Sequence, residues 1–379
     1  MVEVLIAGAG PAGAVAAIVL ARAGVRVLLV DRAKFPRGKL CGDTLNPGAL
    51  AILRRLGLDD RVEQRGVRLD GMILTGEGGA RVQGDYGAGR YGRALMRRDL
   101  DAWLVARAIE AGAKFEEGVQ VHEPILYEGT RGPEVRGAVL GGRDGRRLRV
   151  PALVTIAADG RRSALAFGLG LARHPEWPRR WAAGGYFENV AALGSRGEMH
   201  IRRDRYIGVA PLPDALANVC LVTERRDGFD DPAGLLRAAV AGDPMLRDRF
   251  EGARLIGPVV SLGPLAVDAT AAGLPGLLLA GDAAGFIDPI TGDGMRFALR
   301  GGELAARAAY EAAQRGAADT HLQLEAWRRI EFAGKQRLNR ALRRVVGQPA
   351  SLRAAAFGAR VAPFALRHLI RLAGDVKVA

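Results

Sequence analysis

The chain has 379 residues, 49% of them hydrophobic, and a formal net charge of +14. Its length suffices for one large or two interleaved cores, and no run reaches the apolar length of a membrane span. Two cysteines exclude a disulfide framework and are typical of a reducing compartment, while five scattered histidines offer no metal-ligand spacing. The first residues lead directly into a predicted strand and leave no room for a signal peptide, so we expect a cytoplasmic location and no metal.

The positive charge comes almost entirely from arginine. Lysine occurs only at Lys34, Lys39, Lys114, Lys335 and Lys377. A basic chain can bind nucleic acid or anionic lipid. We interpret most of the arginines as ordinary solvated side chains and expect no nucleic-acid partner.

The N-terminal residues have the pattern of a strand, a helix and a second strand. Val2–Ala7 is apolar and β-branched, residues 12–23 are alanine-rich with Gly24 suited to end a helix, and residues 25–30 are again apolar and stop at Asp31. This order predicts two buried parallel strands joined by a right-handed helical crossover.

A glycine-rich turn joins the first strand to the helix. It reads Gly8, Ala9, Gly10, Pro11, Ala12 and Gly13. In this context the first glycine allows a tight turn, the second lets the backbone approach a pyrophosphate, and the third lets helix and strand pack closely. The helix N-terminus offers free N–H groups to the phosphates. Asp31 can accept from both ribose hydroxyls and would repel a 2′-phosphate; we include the next residue, Arg32, among the predicted cofactor contacts.

Three further elements of the cofactor fold, one helix and two strands, are predicted from the sequence. Residues 98–111 predict a helix, residues 153–158 predict a strand that ends at Asp159 and Gly160, and residues 277–280 predict a strand that ends at Gly281 and Asp282. Asp159–Gly160 is either a third cofactor element or a simple turn. Arg98, at the helix start, could reach ribose or phosphate oxygens or lie on the surface.

The segment after the last strand predicts the ring end of a flavin site. A carboxylate at a strand end, Asp282, can bind a ribitol hydroxyl of FAD. A long helix is predicted over residues 294–316, and its N–H groups would stabilise the ring edge that becomes negative on reduction. The predicted contacts here are Gly281, Asp282, Pro289, Gly292, Gly294 and Met295.

With these motifs in this order, the chain resembles the para-hydroxybenzoate-hydroxylase-like flavoproteins and, within them, the geranylgeranyl reductase group, over about residues 1–330. Residues 35–43, which include Lys39 and Cys41, look like the group's P-R-x-K-x-C-G segment beside the flavin. Arg98-x-x-Asp101 looks like its R-x-x-D helix, with the arginine on FAD. Gly285 matches the reductases, where aromatic hydroxylases commonly have histidine, and we find no W-x-W-x-I-P motif of flavin halogenases.

The resemblance implies two candidate catalytic side chains. Cys41 would lie near the flavin and supply a proton or exchange electrons, or else be a small buried thiol. Tyr206 begins a segment that corresponds to Y-x-W-x-F-P of archaeal geranylgeranyl reductases and either lines the pocket or packs. Gly208 and Ala210 replace the two aromatic residues. This departure widens the pocket and favours a quinone ring, a polyketide or an aromatic lipid over a slim polyprenyl chain.

The predicted fold class is α/β (α+β overall): a glutathione-reductase-type Rossmann FAD domain with an inserted antiparallel β-sheet substrate domain and a helical C-terminal region. We assign residues 1–66, 94–167 and 271–330 to the FAD domain, residues 67–93 and 168–270 to the sheet domain, and residues 331–379 to the basic helical region.

The predicted function is that of an FAD-dependent oxidoreductase, with FAD bound non-covalently, that reduces or dehydrogenates a lipophilic isoprenoid, quinone-like or polyketide metabolite. The alternative is a monooxygenase that hydroxylates an aromatic or polyketide substrate through a C4a-hydroperoxide. A non-catalytic FAD-binding protein is a third reading, without positive support. Because no second G-x-G-x-x-G opens a helix after a strand, NAD(P)H would act transiently, or a separate electron-donor protein would serve.

The C-terminal region is a basic amphipathic segment. Its arginines include Arg340, Arg343, Arg344, Arg353, Arg360, Arg367 and Arg371. Such a helix can lie on anionic lipid, which would suit a lipid-like substrate, or it can cover the back of the domain with arginine stems reaching water. Peripheral membrane contact is therefore one of two expectations here.

Overall fold

The computed structural model describes residues 2–39, 42–87, 89–129, 132–142, 145–177, 179–316, 318–347 and 363–374. The strands are β1 (Val2–Ala7), β2 (Val27–Asp31), β3 (Thr44–Leu45), β4 (Val67–Leu69), β5 (Gly71–Thr75), β6 (Arg81–Asp85), β7 (Gly92–Ala94), β8 (Lys114–Glu117), β9 (Gln120–Gly129), β10 (Gly132–Gly141), β11 (Arg147–Ala157), β12 (Ala172–Arg173), β13 (Trp181–Glu188), β14 (Arg196–Ile201), β15 (Arg205–Pro211), β16 (Ala217–Thr223), β17 (Arg254–Leu262), β18 (Asp268–Ala269), β19 (Gly273–Leu274) and β20 (Leu277–Leu279). The helices are α1 (Pro11–Arg22), α2 (Pro47–Arg55), α3 (Asp60–Arg65), α4 (Arg97–Glu110), α5 (Ala164–Gly168), α6 (Pro232–Ala241), α7 (Gly294–Arg315), α8 (Thr320–Gly347) and α9 (Pro363–Ala373).

The first layer is a mainly parallel sheet whose strands run β19-β20-β11-β1-β2-β8. Strand β1 pairs in parallel with both β11 and β2, as a βαβ crossover requires. Side chains alternate along β1, so that Val4 and Ile6 face α1, α4 and α7 while Leu5 and Ala7 face the β9–β10 hairpin and α5. Both faces of the central strands are therefore buried, which explains their continuous apolar sequence.

Helices α1 and α7 meet at very short range. A Cβ atom on Gly302 of α7 would lie only 2.1 Å from the carbonyl oxygen of Ala12 in α1. Glycine is the residue that permits this approach, because any side chain there would collide with backbone. The contact fixes the start of α1 against the chain segment that returns from the far end of the sequence.

The second layer is a seven-stranded sheet in the order β17-β13-β16-β15-β14-β5-β6. One face carries Ile207, Val209, Val219 and Leu221, which pack on α6. The other face turns toward the first layer. The sheet is antiparallel except for the β14–β5 pair, which is parallel, so the expected antiparallel sheet is in fact mixed.

The C-terminal helices bind back onto both layers. Helix α8 runs unbroken from Thr320 to Gly347, so the domain boundary expected at residue 330 falls inside a helix. Helix α9 packs on β6, where the side chain of Ile370 lies against Gly84. Among the described residues, no helix is long and apolar enough to cross a membrane.

The fold class expected from the sequence is confirmed. The predicted strands and helices are present with bounds that differ by one or two residues at most ends, although β11 begins six residues earlier than predicted. In the seven-stranded sheet, β5 and β6 lie beside strands from residues 181–262, as a single inserted sheet requires. Strands β4 and β7 instead pair into a small separate sheet with β3.

We expect Gly302→Ala to destabilise the protein by about 1–3 kcal/mol or more, because the added methyl group must push α7 away from Ala12. The control is Gly334→Ala in α8, where a Cβ meets no atom within 4 Å. This control should be neutral or stabilise by about 0.5–1 kcal/mol, as alanine does in a helix interior. Urea unfolding of both variants measures the difference, and equal stabilities would contradict the close contact.

Candidate cofactor and substrate site

The glycine-rich turn has the geometry of a phosphate cradle. Gly8 has a φ of +96°, and a Cβ on Gly13 would lie 1.9 Å from the Gly8 carbonyl oxygen. Helix α1 starts here with Gly10 as its N-cap, and no side chain caps its first turn. Among the described residues, a Cβ on Gly10 would meet the Arg37 guanidinium at 3.5 Å and no other atom within 4 Å. The amides at the start of α1 therefore face a space that a bound anion can occupy.

Cationic side chains gather in front of this helix start. The Arg37 guanidinium lies 3.9 Å from Asp31 and 3.1 Å from Asp101, and Arg97 makes two bonds of 2.9 Å to the same Asp101 carboxylate. Burial and the nearby charge of Arg97 lower the pKa of Lys39. A bound pyrophosphate would reverse this effect, because it brings negative charge to the cluster.

The adjacent residues Arg97 and Arg98 differ in exposure. Its side chain is 53% exposed and lies 3.6 Å from Asp99. The neighbouring Arg97 is 4% exposed and faces the cation cluster. Arg97 lies on the buried face of α4, because it stands four residues before the buried Asp101. The cofactor contact of Arg98 stays a prediction, and Arg97 is a second candidate.

The ribose end of the predicted site is built around Asp31. This buried carboxylate accepts hydrogen bonds from the amides of Ala9 (2.9 Å) and Ala33 (2.8 Å), so it is held beside the glycine-rich turn. Arg32 is exposed, and its charge acts on Asp159. Asp31 thus lies beside the glycine-rich turn and Arg32 is exposed to solvent, and both stay predicted cofactor contacts.

Asp159 has a structural role at the same end. Its carboxylate accepts from the amide of Ala164 at 3.0 Å and so holds the start of α5, while its Oδ1 has no hydrogen-bond partner among the described residues. Burial raises the pKa of Asp159. Gly160 follows with a φ of +87°. The backbone of residues 158 and 159 lies against Gly8, so this turn supports the cradle from behind.

The second motif lies directly beside the first. Gly281 has a φ of +60°, and a Cβ there would touch the Cβ of Ala12 at 3.0 Å. Asp282 follows in a 3₁₀ turn and is close enough to Lys39 to act on its charge. Two motifs separated by more than 260 residues therefore form one surface, as the predicted FAD site requires.

The start of α7 forms the far end of this surface. A short turn over Pro289–Thr291 and Gly292, with a φ of +66°, leads to Gly294 and Met295 at the first turn of the helix. A Cβ on Gly42 would lie 2.9 Å from the Met295 sulfur and 2.9 Å from the Arg97 guanidinium. The loop that carries Gly42 thus closes over the helix start.

The helix start is fixed by a buried carboxylate. Asp293 accepts from Asn46 at 3.0 Å and from Lys335 at 3.2 Å. The Lys335 ammonium also donates to the carbonyl oxygens of Leu372 (2.6 Å) and Ala373 (2.9 Å) in α9. Both C-terminal helices therefore hold the end of the site where the flavin ring is expected.

These residues fit FAD. The uncapped helix start and the cations suit a pyrophosphate, Asp31 and Asp282 stand at the positions for ribose and ribitol hydroxyls, and the start of α7 supplies positive dipole for the ring edge. The fit rests on the open space at Gly10 and on the cluster of cations, which a dinucleotide fills and neutralises.

Two tyrosine–aspartate bonds hold the second sheet over this surface. The Tyr186 hydroxyl donates to Asp43 at 3.2 Å, and the Tyr206 hydroxyl donates to Asp288 at 2.7 Å. We call these bonds the two struts. Asn218 reinforces the first at 2.8 Å. Each strut joins the sheet to a loop of the first layer, so the gap between the layers is fixed at both ends.

The floor between the struts carries little side-chain volume. Gly184, Cys220 and Gly208 lie in register across β13, β16 and β15. A Cβ on Gly208 would meet no atom closer than 3.9 Å, and both Gly208 and Cys220 are partly exposed although the strands around them are buried. We call this floor the recess. It can accept a flat ring at the site's substrate side.

The two candidate catalytic residues have different outcomes. Tyr206 is 3% exposed and its hydroxyl is committed to Asp288, so the structure places it as a strut. Burial and the Asp288 carboxylate raise the pKa of Tyr206 well above 10, so its hydroxyl stays protonated and bonded to Asp288. Cys41 lies outside the described residues, and its role stays a prediction.

Sequence reasoning missed the polar partners of the struts. Asp43, Tyr186, Asn218 and Asp288 were not singled out, and Arg180, which pairs with Asp288 at 2.8 Å, was missed as well. Period-two alternation along β13 and β16 places Tyr186 and Asn218 on one face, but only the pairing of the strands shows that both reach Asp43.

Comparison with known proteins agrees with this geometry. Residues 1–184 match a family model described as an FAD binding domain. The chain is 34% identical over 325 residues to a menaquinone reductase of Mycobacterium tuberculosis, covering 80% of this chain and 75% of that protein. It is 30% identical over 330 residues to digeranylgeranylglycerophospholipid reductase 2 of Methanopyrus kandleri, covering 82% and 77%. A flavoprotein/dehydrogenase of Cytophaga hutchinsonii shares the fold with a TM-score of 0.84 at 22% identity over 99% of this chain and 93% of that one.

The fold and the site define an FAD-dependent oxidoreductase. The chain belongs to the geranylgeranyl reductase group of the para-hydroxybenzoate-hydroxylase-like flavoproteins, as the sequence resemblance predicted.

The two adjacent arginines of α4 allow a matched test of the cofactor site. Arg97→Gln should abolish flavin retention and lower the free energy of unfolding by about 3 kcal/mol, because it breaks a buried ion pair with Asp101. Arg98→Gln should retain flavin and change stability by no more than about 0.5 kcal/mol, since its side chain is exposed. The ratio of flavin to protein absorbance after gel filtration measures retention. If Arg98→Gln loses flavin and Arg97→Gln retains it, Arg98 is the cofactor contact.

Proposed function

We propose that this protein is a flavin-dependent reductase that adds a hydride and a proton to a carbon–carbon double bond or quinone ring of a lipophilic isoprenoid molecule. The observation that carries the proposal is the recess. Its floor faces the first layer, and Gly208 within it stands where the motif of archaeal reductases that this segment resembles has a bulky aromatic residue. A ring-bearing substrate therefore fits better than a bare polyprenyl chain.

The relatives support the same class of reaction. Two of them are named as reductases, one of menaquinone and one of a digeranylgeranylglycerophospholipid. Gly285 at the end of the second motif agrees with the reductase pattern. These names belong to proteins that share about a third of their residues with this chain, and the substrate of this chain is our proposal.

When bound, FAD supplies the hydride. The chain's own residues hold the two reactants and exclude water. The start of α7 would direct its amide dipoles toward the ring edge, and the apolar side chains of Phe286, Ile290 and Met199 lie beside Cys220 in one cluster at the recess. Such an apolar surface suits hydride transfer, because it keeps water away from the species that the hydride forms on the substrate.

We further propose that reducing equivalents arrive from NAD(P)H bound transiently or from an electron-donor protein. The basis is the presence of a single dinucleotide fingerprint in the sequence. The outer face of α9 carries exposed Arg367, His368 and Arg371 and the 72%-exposed Phe364, a combination that suits an anionic lipid surface. Peripheral membrane contact at α9 would bring a lipid substrate to the protein.

The function is tested by half-reactions that need no knowledge of the physiological donor. Flavoprotein reduced with dithionite under anaerobic conditions should be reoxidised by a prenylated naphthoquinone or an unsaturated isoprenoid lipid, with a product gaining two hydrogens. Flavin absorbance and mass spectrometry of the extracted lipid provide the readouts. If reoxidation by isotopically labelled O2 instead gives a hydroxylated aromatic or polyketide product that carries the label, the protein is a monooxygenase, which the wide recess would also accommodate.

The recess gives a second prediction. Gly208→Trp should lower kcat/KM for a quinone-ring substrate by about 10- to 100-fold, because the indole fills the space of the ring. Gly208→Ala is the matched control; its methyl group has room and should change kcat/KM less than about threefold. Both variants must keep their flavin. Unchanged turnover in Gly208→Trp would place the substrate elsewhere.

A further inference from the structure

Asp43 is a buried carboxylate at the junction of both layers. It is 3% exposed and accepts three hydrogen bonds: from the Arg97 amide at 2.7 Å, from Asn218 at 2.8 Å and from the Tyr186 hydroxyl at 3.2 Å. A carboxylate with this many donors is held in one orientation. Its position two residues beyond Cys41, beside Gly42 and Met295, puts it next to the ring end of the cofactor site.

The charges around Asp43 are of both signs. The Arg97 guanidinium donates two hydrogen bonds of 2.9 Å to Asp101, whose negative charge also faces Asp43. Asp99 adds negative charge near Tyr186. Burial is the main cause that raises the pKa of Asp43 to about 6, although the Arg97 amide, the Arg97 charge and Tyr186 all oppose it. A group with this pKa exchanges protons near neutrality.

Tyr186 connects this carboxyl to the recess. It lies on the same face of β13 as Gly184, and its cross-strand neighbour is Asn218. The side chain is half-buried, so part of it faces the open floor. Burial and the Asp43 charge raise the pKa of Tyr186, so its hydroxyl stays protonated and passes protons on without becoming a stable phenolate.

We propose that Asp43 is the proton reservoir of the reduction and that Tyr186 relays its proton to the substrate. This proposal rests on the function proposed above. When bound, reduced FAD would supply a hydride to one end of the substrate's double bond or conjugated ring, and the electron pair would move to the other end. That atom takes the proton of the Tyr186 hydroxyl while Asp43 gives its own proton to the tyrosine oxygen. The products are the reduced substrate, oxidised FAD and an Asp43 carboxylate, which recovers a proton from water.

The relay predicts a pH profile with a defined sign. Reoxidation by substrate requires protonated Asp43, so its rate should be highest in acid and fall as the pH rises through about 6, with a solvent deuterium isotope effect. Oxidation of the same reduced flavin by ferricyanide needs no proton delivered to the acceptor. The rate of oxidation by ferricyanide should therefore not fall as the pH rises through about 6.

The test compares Asp43→Asn and Tyr186→Phe with wild type in both reactions, using dithionite-reduced holoenzyme and a prenylated naphthoquinone. In each variant the rate of reoxidation by the quinone should fall about 10- to 100-fold, and in Asp43→Asn this rate should no longer fall as the pH rises through about 6. The rate of reoxidation by ferricyanide should stay within about twofold of the wild-type rate. Asp43→Glu should restore part of the rate. The controls Asp227→Asn and Tyr127→Phe change exposed side chains that have no part in the proposed relay and should match wild type.

A second readout does not depend on turnover. Infrared difference spectra between about pH 5 and pH 8 should show a protonated carboxyl band in wild type that is missing from Asp43→Asn. A pH limb that survives in Asp43→Asn, or a parallel loss of both reactions, overturns the relay. If ferricyanide oxidises the reduced wild-type protein but no quinone or isoprenoid does, the proposed function itself is overturned. The infrared band still reports on Asp43 in that case.

Discussion

The short approach between α1 and α7 is the constraint on which the cofactor site depends. Where a side chain at residue 302 would begin, the carbonyl oxygen of Ala12 is only 2.1 Å away, and the Cβ of Ala12 in turn faces Gly281. Three small residues from distant parts of the chain thus bring the glycine-rich turn, the Gly281–Asp282 turn and the long helix into one surface. A dinucleotide needs this proximity, since the motifs predicted to bind its two ends are more than 260 residues apart.

Buried charged and polar groups fix the spacing between the two layers. The second sheet reaches the first through buried acids, Asp43 and Asp288, each bonded to a tyrosine of the sheet. Directional hydrogen bonds of this kind fix the distance between the two layers, whereas a continuous apolar contact would bring the layers together. The space kept open between the two struts is therefore a product of polar groups, and the reactants are expected in that space.

The sequence contains much of this arrangement. Continuous apolar strands, the glycine-rich turn and the alanine-rich helix predict the FAD layer because their signals are local. The position of the buried arginine was also within reach: Leu100, Leu104 and Ala108 define the inner face of α4, and Arg97 continues that face by helical periodicity while Arg98 does not. The role of Asp43 could not be found in this way. It arises from the register of β13 with β16 and from the path of a loop, and both are long-range properties that no window of sequence records.

The bonds of Lys335 have a consequence for the order in which the site is assembled. Strands β1 and β2 and the phosphate turn are among the first residues to leave the ribosome, but they need β11, Gly281 and α7 to form the cofactor surface. Asp293 is held by Asn46, which also donates to the carbonyl oxygen of Ala373, and by Lys335, which donates to the carbonyl oxygens of Leu372 and Ala373. The ring end is therefore completed only after α9 has been made, and closure of the ring pocket is a late step in the synthesis of the chain.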